Sequence, residues 1–91
     1  MRSDDEATFL RNVGNRVKRI REMQGLTAAD FGIRLGMNPQ SAATGVYQIE
    51  NGKHGTQIDT LFRVANALGV TPGLLLDGGE VEMRVVKREK V

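Results

Sequence analysis

Gly25, Gly36, Gly52 and Gly69 fall at helix-length intervals along the chain, and a helix-start signal precedes each of them. Glycine reaches the left-handed conformation that ends a helix without the penalty a Cβ imposes. The start signals are of two kinds. Ser3 with Glu6, Thr27 with Asp30 and Thr56 with Asp59 have the spacing of a hydroxyl that caps a backbone N–H and a carboxylate that favours the first turn. Asn38-Pro39 and Thr71-Pro72 use proline, whose fixed φ suits the first helical position and which pushes the residue before it out of helical geometry. The spacing predicts five helices, over about 4–24, 28–35, 38–51, 57–68 and 72–76, ahead of a break at Asp77-Gly78-Gly79.

Apolar spacing within these segments indicates which faces are buried. Leu10, Val13, Val17 and Ile20 form one stripe on the first helix, and Ile58, Leu61, Ala65 and Leu68 form another on the fourth. The second helix offers Ala28, Phe31 and Leu35, with Gly32 where the absence of a side chain would let another helix approach closely. The fifth is a brief apolar turn able to close the core. In the third segment Ala42, Val46 and Ile49 are spaced to face inward. The expected fold is all-α, with residues 1–76 as one domain and residues 77–91 as a separate tail.

Chemistry is narrowed by what the chain lacks. It has no cysteine and a single histidine, which removes thiolate sites, disulfides and the imidazole-rich metal and triad arrangements. No glycine-rich phosphate loop is present, and the carboxylates sit at cap positions, so neither catalytic residues, a cofactor nor a metal is expected. The start, MRSDDEATFL, is acidic, and no apolar run approaches the ~18 residues of a membrane span, so a cytoplasmic protein is expected. The net charge is +2, but it is unevenly spread: residues 1–6 are acidic, residues 77–91 balance, and the stretch between carries the surplus. Arg11, Arg16, Lys18, Arg19 and Arg21 form an acid-free cluster on the first helix, readable as a solvated face or as a basic footprint for a polyanion.

Residues Val13 to Leu76 resemble the lambda-repressor-like, Xre-type helix-turn-helix family of bacterial and phage regulators. VGNRVKRIREMQGLT (Val13–Thr27) is similar to the family's first helix and its entry to the second, QIENGK (Gln48–Lys53) to the exit of its recognition helix, and IDTLFRVANALGV (Ile58–Val70) to its fourth helix. The resemblance implies a five-helix fold and binding of double-stranded DNA. Two features depart from the pattern. Ala28 stands where the family usually has a glutamine that donates to a phosphate. The stretch from Gly36 to Val46 exceeds the family's usual spacing by about one helical turn, and because Asn38-Pro39 is a strong helix start these residues are expected to lengthen the recognition helix at its N-terminus, the alternative being a longer turn with Ser41 as the cap.

On that resemblance the helix around Asn38–Asn51 is the reading element. Gln40, Ser41, Thr44, Tyr47 and Gln48 are the expected base contacts, because short and medium donors and acceptors pair with base edges. Arg16, Arg19, Thr27, Arg34, Asn51, Lys53 and His54 are the expected phosphate contacts. Glu50 is left off, since a carboxylate repels phosphate, and is expected to make a structural hydrogen bond or ion pair. Gly45 inside the helix signals either a close approach or a bend.

The tail reads EVEMRVVKREKV, with Val81, Met83 and Val85 alternating against Glu82, Arg84 and Val86, the pattern of a short β-strand. A lone strand is unstable, so it needs a partner. Antiparallel pairing with a second copy about Val85 sets Glu82 against Arg88 and Glu80 against Lys90, whereas parallel pairing stacks like charges. The expectation is a homodimeric repressor on a palindromic operator, two recognition helices reading half-sites one DNA turn apart. The alternative is an antitoxin or other interaction module that masks a toxin or another partner protein.

Overall fold

The computed structural model describes residues 4–53 and 57–77. Five helices follow one another: α1 (Asp4–Met23), α2 (Ala28–Arg34), α3 (Ala42–Glu50), α4 (Ile58–Leu68) and α5 (Pro72–Asp77). No strand occurs among the described residues. Ser3, Thr56, His54 and the tail residues Val81, Met83 and Val85 lie outside them.

The four glycines named by the sequence all take positive φ, between 69° and 89°. At Gly25, Gly36 and Gly52 the exit has one form: the glycine N–H donates to the carbonyl three residues back, and the next N–H reaches the carbonyl five back, as in Leu26 to Arg21 (3.1 Å), Met37 to Gly32 (3.0 Å) and Lys53 to Gln48 (3.0 Å). Gly69 does the same, with Val70 donating to Ala65 at 2.9 Å. Leu26, Met37 and Val70, the residues after three of these glycines, fold back onto the core. The residue after Gly52 is Lys53, which is exposed. At the starts, Thr27 Oγ1 accepts from Asp30 N at 3.0 Å and Thr71 Oγ1 accepts from Leu74 N at 3.3 Å.

Every helix contributes to one core. Val13 and Val17 of α1 meet Phe31 of α2, Val46 of α3, Val64, Ala65 and Leu68 of α4, and Leu75 of α5. Gln24 Nε2 donates to Leu68 O at 2.6 Å and so ties the C-terminal ends of α1 and α4.

Three expectations need correction. The third helix begins at Ala42, so the additional residues lie in the turn. Asn38 Oδ1 accepts from Gln40 N (2.9 Å) and Asn38 O accepts from Ser41 N (3.0 Å), closing a turn with Pro39 at its second position. Proline's φ suits that position as well as a first helical turn, and the asparagine's own hydrogen bonds decide between them. Ser41 occupies the N-cap position but its hydroxyl bonds Asn38 O at 3.4 Å and makes no cap bond. Ile58 is not core: it is 87% exposed, because α4 starts there with Gln57 as its N-cap, and Val64 takes the interior position. Arg21 is not part of a solvated cluster, being only 6% exposed.

Candidate nucleic-acid interface

Small residues bring α3 against two helices. A Cβ built on Gly32 would lie 2.7 Å from both Cβ and O of Ala42, so α2 crosses the start of α3 where neither backbone carries bulk. At the other end, a Cβ on Gly14 would meet the Glu50 carbonyl and lie 2.7 Å from Ile49 O, and one on Gly52 would lie 2.9 Å from Arg11 N. The last turn of α3 therefore rests on the middle of α1. Gly45 faces the thioether end of Met37, whose Sδ would be 2.7 Å from an added Cβ.

An ion pair fixes the same junction. Glu50 Oε2 accepts from Arg21 Nε at 2.6 Å and Oε1 from Arg21 Nη2 at 3.2 Å, while Arg21 Nη1 donates to Leu26 O at 2.8 Å. Both residues are buried, Glu50 to 3% exposure. One guanidinium thus joins α1, the α1–α2 turn and the end of α3 through a two-point, charge-assisted contact. The hydrogen bond to Glu50 raises the Arg21 pKa above its ordinary value and outweighs the lowering by burial. A cation at the C-terminal end of α3 also suits the helix dipole.

With Ala42 and Val46 buried, the other side of α3 faces out. Thr44 and Tyr47 on the helix are exposed and Gln48 is half-buried, while Gln40 and Ser41 are exposed in the turn ahead of it. The expected base contacts therefore divide between a hydrogen-bonded turn and a nine-residue helix, and none carries a formal charge. Such a helix is about 13 Å long and slender enough to enter a DNA major groove. Asn51 and Lys53 follow at the exposed exit of α3. Arg34 is exposed in the last turn of α2. Thr27 uses its Oγ as acceptor for the α2 cap and keeps the hydroxyl proton to donate. Ala28 is buried, so at that position α2 presents a packing group in place of a donor.

Arg16 and Arg19 are not brought to this face. Gly14 and Arg21 mark the side of α1 that meets α3, and Arg16 lies about 160° around the helix from Gly14. Its Nη1 donates to Leu75 O and Leu76 O, both at 2.9 Å, and so holds the end of α5. Arg19 lines a cavity with Arg16, Ile20 and Leu74 on that same side. The cations flanking the α3 junction are Arg11 and Lys18, about 40–60° from Gly14, both exposed. Sequence reasoning placed them in the basic cluster without assigning them. The available signal was their spacing of three and four residues from Gly14.

Among the described residues no group of His, Cys, Asp and Glu side chains could hold a metal ion, and no helix is long and apolar enough to cross a membrane. A family model described as helix-turn-helix matches residues 17–75, from the middle of α1 to the core leucine of α5. Neither the curated proteins nor the solved structures gave a match.

Proposed function

The chain belongs to the lambda-repressor-like, Xre-type helix-turn-helix family of DNA-binding regulators, and from that premise we propose that it is a sequence-specific transcriptional repressor acting in the cytoplasm as a homodimer on a palindromic operator. The observation that carries this reading is the exposed, uncharged polar face of α3, on a helix held at both ends by glycine contacts and the buried Arg21–Glu50 pair. A reading helix must keep its orientation to within a fraction of an ångström for hydrogen bonds to base edges to discriminate, and a clamp at each end supplies that rigidity.

In this reading Gln40, Ser41, Thr44, Tyr47 and Gln48 meet base edges. Gln48 pairs bidentately with adenine, Thr44 hydrogen-bonds or contacts a thymine methyl, and the Tyr47 ring packs on an exposed base edge. Thr27, Arg34, Asn51, Lys53 and His54 contact phosphates, and Arg11 and Lys18 extend that cationic border along α1. Arg16 is assigned to α5. Residues 1–76 form the DNA-binding unit, without catalytic chemistry, and residues 77–91 join two copies through antiparallel pairing of Val81, Met83 and Val85.

Selection from a random duplex library by the full-length protein near physiological salt tests the proposal, because contacts to the backbone alone bind weakly there. An enriched inverted repeat is the expected outcome. Enrichment of a single asymmetric half-site removes the homodimer. No enrichment by folded protein removes operator reading and favours a module that masks a partner protein, as an antitoxin does.

A further inference from the structure

The outward side of α4 carries two strips of side chains that run along the helix. Ile58 (87% exposed) and Phe62 (60%) lie one turn apart, so they are neighbours on the helix surface. Asp59 and Arg63 each follow one of them by a single residue and form the second strip, about 100° further around the helix. The core takes the other side, through Val64, Ala65 and Leu68. A lone exposed apolar residue is ordinary on a small domain, but an isoleucine and a phenylalanine side by side on one helix make a patch. In the second strip Asp59 Oδ2 accepts from Arg63 Nη2 at 3.1 Å. Both of these side chains are mostly exposed, so the ion pair contributes little within one copy.

The order of the charges says what fits this surface. A two-fold axis crossing α4 at the level of residues 60–61 lays two α4 helices antiparallel. Apolar strip then faces apolar strip, with Ile58 against Phe62 of the second copy and the two phenylalanine rings close to the axis. Charged strip faces charged strip in reversed order, so Asp59 meets Arg63 of the second copy, and Arg63 meets its Asp59. The centres of the two pairings differ by one residue, about 1.5 Å, so a single axis serves both. A parallel two-fold instead sets the charged strip of one copy on the apolar strip of the other. The surface is therefore complementary to itself in both apolar character and charge, as an isologous contact requires. It is small beside the ~800 Å² that a standard interface buries on each partner, so it adds to a dimer and does not make one alone.

We propose that α4 is a contact between two copies of this chain, antiparallel about residues 60–61. The inference rests on the homodimer of the proposed function and gives it a contact inside the folded domain. Dissociation constants from sedimentation of the full-length protein test it, for the wild type, Phe62→Ser, Asp59→Arg, Arg63→Asp and the double swap of Asp59→Arg with Arg63→Asp. Circular dichroism checks the fold, which changes at these exposed positions should leave intact. Phe62→Ser is expected to weaken the dimer at least about tenfold, since the two-fold removes a ring from both sides of the contact. Either charge reversal alone creates two like-charge contacts and should weaken the dimer about fivefold, less at high salt. The double swap should return the wild-type value, because exchanging the charges keeps every crossing pair opposite. Reversals without effect, or without rescue by the double swap, overturn the antiparallel arrangement. A dimer unchanged in Phe62→Ser overturns the α4 contact and leaves the homodimer standing. A wild type that stays monomeric, alone and with its enriched operator, removes the homodimer and the contact with it.

Discussion

Replacing Glu50 with alanine leaves the Arg21 guanidinium in a site only 6% exposed, with its Nε and Nη2 donors stripped of their acceptors. Removing one partner of a buried pair costs about 3–5 kcal/mol, because the remaining charge is neither hydrated nor compensated. The surface discount for ion pairs does not apply, as both side chains are almost fully enclosed. For 91 residues at roughly 0.05–0.15 kcal/mol each, total stability is about 5–14 kcal/mol, so the loss is a large share. In a domain this size 1 kcal/mol shifts Tm by about 4–8 °C, which places Glu50→Ala at least about 12 °C below the wild type. The chain has no tryptophan, so helical circular dichroism is the natural signal for thermal and urea unfolding. Arg21→Met with Glu50→Leu should recover most of the loss by replacing the pair with apolar groups of similar volume, and the double-mutant cycle should show strong coupling. A Glu50→Ala protein within about 1 kcal/mol of the wild type would refute the reasoning.

Other substitutions check the rest of the packing. Gly14→Ala drives a Cβ into the α3 carbonyls at Ile49 and Glu50, neither of which can yield as a flexible side chain would, and should cost at least about 2 kcal/mol in urea unfolding. Leu68→Ala should cost about 2–5 kcal/mol, whereas Ile58→Ser, on the same expected stripe but exposed, should stay within about 0.5 kcal/mol. Arg16→Ala removes two bonds to α5 carbonyls, so it should lower Tm and leave the salt dependence of DNA binding unchanged. Lys18→Ala, beside the α3 junction, should keep Tm and reduce the slope of log K against log salt by about 1.

Much of the fold was legible because it is written in backbone chemistry. A glycine at a helix exit states a φ, and all four glycines took the φ they announced. Gly32 likewise announced a close approach, and Ala42 supplied it. Glu50 was readable as structural from its charge, but its partner was not. Five cations on α1 look alike in sequence, and only the crossing at Gly14 distinguishes Arg21, which faces α3, from Arg16, which faces α5. The same ignorance of azimuth hid that Arg16 and Arg19 lie across α1 from the α3 junction while Arg11 and Lys18 flank it. Pro39 misled for a different reason, since one φ serves both a helix start and the second position of a turn. Ile58 continued a periodic stripe one turn past the end of the core. At the exits, the residue after each glycine carried an unused signal. Three are apolar and fold back, while Lys53 stands out into solvent at the end of α3.

The central claim is that the outward side of α3 reads bases while its flanks hold the backbone. Affinities of Gln48→Ala and Lys53→Ala for a selected operator and for scrambled duplex, measured across a salt series, test it most directly. The account predicts that Gln48→Ala loses about 1–3 kcal/mol on the operator, little on scrambled DNA, and relaxes one base position. Lys53→Ala should weaken both duplexes alike and lower the salt slope by about 1. Equal losses on operator and scrambled DNA for both variants would contradict direct readout by this helix.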